Sequence, residues 1–471
     1  MSNCFSKILH IRHGALWGLS ELILGLSGLS HISRNKKLEE AMQQIHQKEI
    51  ELIKQGNNKE EFNEKFQELQ KKNNISLVSD EILLNIKSII FEMEEKKLFK
   101  GKGGDIMRVS VNHFIQCCSF AQIEFSIEDM IKFQKIIEEN SRHSNVEIQK
   151  STCSAFKQLC STYYTNIDEL EGDKKFVIER VKKLVERSSL DPVIDTTRGY
   201  NMLMGSLSKP IISKIQEKLL KTLIGNMIPQ GKPNDDAESR QYAVRSIIDV
   251  FKTLTLEAVD PVIIQSAIEH MFKAIQDYAI DKRGDVGSWV REEAMRSLNI
   301  LIFELFYNCE KSVLQKVIPK NYQKDFLLKY IGTILQQLME KIDRIRQVAG
   351  QILQSFLITF KNDLPNFQEK DTLLTLFIYS EEGKDENTLD STYLDSRGYL
   401  NVALHHKAWR NPSFVFKQVV SLFDSVNFSK FIFTGIISSA GGLTESTVKH
   451  SLEVLIKYIS NLNGNANEVE K

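Results

Sequence analysis

Three clusters in the chain carry side chains of the kind that bind or react. Gly101-Lys102-Gly103-Gly104 supplies glycines and a lysine, the ingredients of a phosphate cradle. A phosphate loop needs the spacing GxxxxGK[ST] after a strand. Here that template fails and the preceding sequence is helical in pattern, so the segment reads as a glycine turn between two helices. Arg12-His13-Gly14 and His405-His406 supply imidazoles for metal binding or proton transfer. Neither has a His or Cys partner at metal-ligand spacing, so both read as loop or capping histidines. The six cysteines are Cys4, Cys117, Cys118, Cys153, Cys160 and Cys309, with no CxxC pair. They read as reduced, buried thiols. There is no GxSxG elbow, no HExxH and no Cys/His nucleophile pair. No catalytic, cofactor-binding or metal-ligating residue is assigned, and a binding protein is expected rather than an enzyme.

Composition narrows the class of partner. Among 471 residues, Lys plus Arg and Asp plus Glu each number 61. That balance argues against a nucleic-acid binder, which holds phosphates with a basic excess. Hydrophobic residues make up 42%, enough for a sizeable core. The most apolar N-terminal stretch, Gly14 to Ser30, is broken by Glu21 and too short for a bilayer. No membrane partner is expected, and a cytoplasmic location is.

The elements that must carry any binding surface are helices. Only 8 prolines and 23 glycines punctuate the chain, too few turns for a sandwich or barrel. Val290, Ala294, Leu298, Leu301 and Leu305 recur at helical spacing, with Glu292, Arg296 and Asn299 off the stripe. Ile345, Ala349, Ile352 and Phe356 form a second stripe, widened by Val348 and Leu353. Ala243, Val244, Ile247, Ile248 and Phe251 form a third.

Several helices open alike, with an acid or Asn a few positions before a basic or polar residue. Examples are Asp105 before Arg108, Asn145 before Glu147 and Gln149, Asp195 before Arg198, Asp236 before Arg240, Asp285 before Arg291, and Asp343 before Arg344 and Arg346. Successive starts lie about 40 to 53 residues apart, roughly the period of HEAT or armadillo arrays. The spacing predicts an all-α fold, a HEAT/armadillo-type α-solenoid of stacked helix pairs, in which neighbours bury the faces that one pair leaves open. The acids are expected to satisfy free N–H groups at helix starts. The arginines are expected to pair with acids of neighbouring units as a ladder.

The expected organisation has five parts. Residues 1–34 start the helical repeats, and 35–75 form a polar, charged insertion. Residues 76–370 are the main array, and 371–397 an acidic loop. Residues 398–471 hold the C-terminal helices and a frayed tail. Partner contacts are assigned to two glycine-bearing turns. One, Asp281 to Ser288, delivers Trp289 at a helix start, where an aromatic can anchor a partner. The other, Gly441 to Thr447, leads into a helix from Val448, with Thr444 or Ser446 as its cap. The partner-binding candidates are Arg283, Asp285, Trp289, Arg291, Thr444 and Glu445.

These turns carry a resemblance. DKRGDVGSWVREEA at 281–294 and GGLTEST at 441–447, followed by Lys449-His450-Ser451, closely resemble signature stretches of the tubulin-folding cofactor D family. LFKGKGGDIMR at 98–108, AESR at 237–240 and KIDR at 341–344 fall in the same order, and RHGA at 12–15 is similar to the start of that family's C-terminal region. The resemblance runs from about residue 10 to residue 459. It implies a HEAT/armadillo chaperone that captures β-tubulin and, with cofactors C and E, assembles or dismantles the α/β-tubulin heterodimer. It also implies an Arf-like small GTPase as partner, stimulation of GTP hydrolysis by tubulin without being the hydrolase, and association with the microtubule cytoskeleton. With RHGA so early, the chain is expected to correspond to about the C-terminal half of a family member. A generic HEAT scaffold is the alternative, sharing the fold but not the two signature turns.

Overall fold

The stripes predicted from spacing are buried faces of helices. A computed structural model describes residues 1–26, 80–99, 101, 103–231, 235–377 and 407–462. The polar insertion at 35–75 lies outside these residues, as do His405-His406 and positions 378–397 of the expected acidic loop. Residues 371–377 are helical rather than loop, because Leu373, Leu374 and Phe377 form a buried face ahead of the acidic run. Among the described residues the fold is all-α apart from one short ribbon, as the repeat spacing predicts. No described helix is long and apolar enough to cross a membrane.

The chain divides into two compact units, Met1–Leu219 and Leu220–Lys471, and the division falls inside one helix. Unit 1 contains α1 (Leu9–Leu26), α2 (Asp80–Glu95), α3 (Gly104–Phe120), α4 (Ile127–Ser141) and α5 (Val146–Tyr163). It continues through α6 (Ile167–Glu171), α7 (Lys175–Leu190) and α8 (Ile194–Met204) into α9 (Lys209–Gly225), where the division lies. Helices α1, α3, α5 and α8 pack side by side, with α4 against α5 and α7 against α8. That is the two-layer stacking of an α-solenoid. Its interior carries a polar seam. Asn112 Nδ2 donates to Thr152 Oγ1 at 2.9 Å, and Arg198 Nε donates to Gln149 Oε1 at 2.7 Å, tying α3 to α5 and α5 to α8.

Unit 2 contains α10 (Ala237–Leu254), α11 (Pro261–Ala274), α12 (Gly287–Phe303), α13 (Lys311–Val317), α14 (Gln323–Leu338) and α15 (Asp343–Phe360). After them come α16 (Lys370–Phe377), α17 (Lys407–Arg410), α18 (Pro412–Val419), α19 (Ser429–Ala440) and α20 (Glu445–Leu462). Helices α10, α12 and α15 lie side by side. Helix α11 packs on α12, α14 on α15, α19 on α14, and α20 on α18 and α19. The stripe residues Val290, Ala294, Leu298, Ile345, Ala349 and Phe356 are fully or almost fully buried. Each large side chain so buried stabilises the fold by about 1.5–3 kcal/mol.

The helix starts divide into two kinds. Asn145 and Asp236 cap as expected, accepting from the backbone N–H of Glu147 and of Glu238, both at 2.9 Å. Asp195 and Asp343 instead sit inside the first turn and pair with arginines three residues on, Arg198 at 2.8 Å and Arg346 at 3.0 Å. The expected ladder also exists, on Arg344 as named and on Arg245 besides. Arg245 on α10 pairs with Glu293 on α12 at 2.5 Å, and Arg344 on α15 with Glu292 on α12 at 2.6 Å. These pairs explain why Glu292 and Glu293, off the apolar stripe, are nonetheless buried.

Candidate partner-binding edge

The segment 281–289 is more structured than a loop. Ile280–Asp281 pairs antiparallel with Gly284–Asp285, leaving Lys282 and Arg283 at the tip of a two-residue hairpin. Gly284, directly after the tip, has φ 103°, a conformation that glycine adopts without strain. Asp281 braces the tip by accepting from the Arg283 backbone N–H at 2.7 Å and from its guanidinium at 2.7 and 3.0 Å. That contact with Arg283 holds the Asp281 carboxyl below its usual range. Arg283 also reaches Glu238 on α10 at 2.8 Å, and its guanidinium lies over the Trp289 indole, 4.9 Å from the ring centroid. Trp289 is half-buried, so it packs on its own turn and presents its remaining surface to solvent.

Beneath the hairpin, charge is locked away. Asp285 accepts from the Ser288 N–H at the start of α12, 3.1 Å away, and meets Arg291 at two points. Arg291 donates a further bond to the Asp277 carbonyl at 2.6 Å and lies over the Tyr278 ring at 4.2 Å. Its side chain is wholly buried. Of the partner-binding candidates, Arg291 is fully buried and Asp285 half-buried, and the two are paired with each other and with the turn. Their role is to hold Arg283 and Trp289 in place.

The same device recurs. Arg346, also fully buried, donates to the Glu340 carbonyl at 2.6 Å and the Arg410 carbonyl at 2.7 Å. Arg198 donates to the Ser144 carbonyl at 2.8 Å. Arg240 pairs with Asp277 at 2.7 Å and with Asp235. A guanidinium with five donors suits this work, fastening a helix start to the carbonyls and carboxylates of an adjoining turn.

The second expected contact segment comes to the same edge of unit 2. Helix α20 begins at Glu445, three residues before the expected Val448, and Thr444 accepts from the Val448 N–H through its carbonyl. Thr444 and Glu445 are exposed, and Leu443 is wholly so. Gly442 lies against Lys341, where a Cβ would contact the lysine Cβ at 3.4 Å, and Lys341 Nζ lies 3.8 Å from Asp285. Lys341 thus joins the two signature turns, which stand 160 positions apart in the sequence numbering between Asp281 and Gly441. Ile280 is 73% exposed, so the edge offers Ile280, Arg283, Trp289 and Leu443 together with the polar Thr444 and Glu445. This mix of apolar anchors, an aromatic and an arginine is what protein interfaces concentrate.

The other candidates resolve differently. Gly101 and Gly103 take positive φ angles, 81° and 80°, in a turn ahead of α3, as expected of a glycine turn. Arg12 is buried and donates to the Ser6 carbonyl at 2.7 Å, while His13 leans on Trp17. The six cysteines are free thiols. Burial, with the Glu21 charge, pushes Cys117 up to about 12, and burial raises Cys118 well above a normal thiol. Sequence reading missed the convergence of Glu21, His113 and Cys117, since no local spacing links Glu21 to a helix 92 residues away.

The fold defines an all-α protein of the helical-repeat class. Residues 328–471 match the family described as "Tubulin folding cofactor D C terminal". The chain is similar to the tubulin-specific chaperone D of Dictyostelium discoideum, 22% identical over 84% of this chain and 32% of that protein. It is also similar to the tubulin-folding cofactor D of Schizosaccharomyces pombe, 26% identical over 31% of this chain and 12% of that protein. The resemblance carried by the signature turns thus extends over most of the chain. The chain spans about a third of the Dictyostelium relative's length, not the half expected from the position of RHGA. No solved structure matches.

Proposed function

We propose that the chain is a tubulin-binding chaperone module that grips β-tubulin with the turn edge of unit 2. In this reading it works with cofactors C and E in folding, assembly and disassembly of the α/β-tubulin heterodimer. It also binds an Arf-like small GTPase and helps stimulate GTP hydrolysis by tubulin, contributing binding surface rather than catalytic groups. Its place is the cytoplasm and the microtubule cytoskeleton.

One observation supports the reading: the turns at 281–289 and 441–447, whose sequence resembles the cofactor D family, meet at Lys341 and present Arg283, Trp289 and Leu443 outward. The test is capture of β-tubulin by the purified chain, with and without the Arf-like GTPase. Retention of β-tubulin and of the GTPase at micromolar concentration is expected, and absence of either defeats the reading for this chain.

A further inference from the structure

Three side chains with metal-binding atoms converge where α1 packs on α3. His113 and Cys117 are one turn apart on α3 and so project from one face. Glu21 reaches them from α1. His113 Nε2 lies 2.7 Å from Glu21 Oε1 and 3.5 Å from Cys117 Sγ, and all three donor atoms fall within 4.8 Å of one another. The Trp17 indole stacks on the imidazole, centroids 4.0 Å apart and planes within 17°, which fixes the ring's orientation.

Around a tetrahedral ion with bonds of about 2.0–2.3 Å, donor atoms stand roughly 3.3–3.8 Å apart. The imidazole–thiol separation already has that value. The Glu21–His113 separation is short by about half an ångström on this scale, a shift within reach of a carboxylate whose side chain is 54% exposed. A lone His–Glu hydrogen bond explains the first contact. The buried Cys117 thiol brings a third donor atom to the same point, 3.5 Å from Nε2 and 3.9 Å from Nδ1 of the imidazole.

We propose that Glu21, His113 and Cys117 form a three-ligand site for a borderline-soft divalent transition metal of the Zn²⁺ class, clamping α1 onto α3. Thiolate and imidazole favour such an ion over Mg²⁺ or Ca²⁺. On binding, the ion takes the Cys117 sulfur as thiolate and the thiol proton passes to solvent, since a coordinated thiol is deprotonated outright. A fourth position remains for water on the side where Glu21 meets solvent. The proposal is independent of the tubulin reading.

The test is Co²⁺ titration of the metal-stripped full chain, followed by the thiolate-to-cobalt charge-transfer band, with Zn²⁺ displacement and metal analysis of the protein as purified. One ion per chain is expected, with the band kept in Cys118→Ser and lost in Cys117→Ser. Glu21→Gln and His113→Gln, both at partly exposed positions, are expected to weaken Co²⁺ binding at least about tenfold and to retain the wild-type helical spectrum; they carry the test if Cys117→Ser fails to fold. No band in the wild type at excess Co²⁺, or equal affinity in both exposed variants, overturns the proposal.

Discussion

Arg291 and Asp285 form a two-point ion pair inside unit 2, Nη1 to Oδ1 at 3.0 Å and Nη2 to Oδ2 at 3.1 Å, with the arginine side chain fully buried. The pair closes the hairpin onto the first turns of α12 and determines where Arg283 and Trp289 stand. A buried pair contributes little net stability beside an apolar replacement, but breaking one leaves its partner charge uncompensated. Arg291→Ala is therefore expected to cost about 3–5 kcal/mol, and Arg291→Met distinctly less if Asp285 is changed to Asn with it. Urea unfolding of these two variants beside the wild type checks this; an unchanged midpoint for Arg291→Ala would contradict the anchoring role.

Gly287 gives a second test of the same turn. A Cβ there would overlap the Asp277 carbonyl oxygen and the Ala279 backbone nitrogen, neither of which can move aside like a side-chain tip. Gly287→Ala is expected to destabilise unit 2 by at least about 1–3 kcal/mol, the usual range for overpacking. Hydrogen exchange should show the loss first around residues 277–291.

Two buried carboxylates should respond to pH in opposite senses. Glu340 lies 3.6 Å from the Arg291 guanidinium, too far for a hydrogen bond, and burial raises its pKa despite that charge and Lys341. The folded state then holds the proton more tightly, so Glu340's stabilising contribution is full below the ordinary Glu value and is lost as pH rises through the folded value. Glu340→Gln is expected to be at least as stable as wild type at pH 7, with the difference vanishing in acid. Burial pushes Glu369 up as well, but bonds from Ser425 Oγ at 2.6 Å and Asn427 Nδ2 at 2.7 Å outweigh it and hold the group below its usual value. Its contribution is present above the unfolded value and lost as pH falls through the folded one, so Glu369→Gln is expected to be the less stable variant at pH 7. Melting curves of both across pH 3–8 on the order of half-unit steps settle the signs.

Much of this was legible in the sequence, and the exceptions have physical causes. The stripes at 243–251, 290–305 and 345–356 are set by local periodicity, which a helix converts directly into a buried face. The repeated acid-then-arginine openings marked the turns correctly. Which acid each arginine meets depends on how neighbouring turns approach, and no one-dimensional spacing encodes that. Arg291 looked like a contact residue because charge in a turn is normally solvated; only the stacked neighbours, Tyr278 and Glu340, reveal that it is enclosed. The junction at Lys341 was invisible for the same reason.

The surface part of the edge should be separable from its foundations. Arg283, with its side chain 43% exposed, and the half-buried Trp289 form the outer face of the hairpin. Arg283→Glu is expected to shift stability by no more than about 1 kcal/mol, as for other exposed ion pairs. Trp289 fluorescence is expected to change when a partner covers the indole, and an emission spectrum untouched by saturating partner would place the contact elsewhere.

The most direct test of the central claim is the equilibrium affinity of the purified chain for tubulin, measured beside the Arg283→Glu/Trp289→Ala variant. The account predicts saturable binding with Kd on the order of micromolar, weakened about tenfold or more in the variant, as loss of an aromatic–arginine anchor should do. Absence of saturable binding at roughly fifty times that concentration, or an identical Kd for the two proteins, would contradict it.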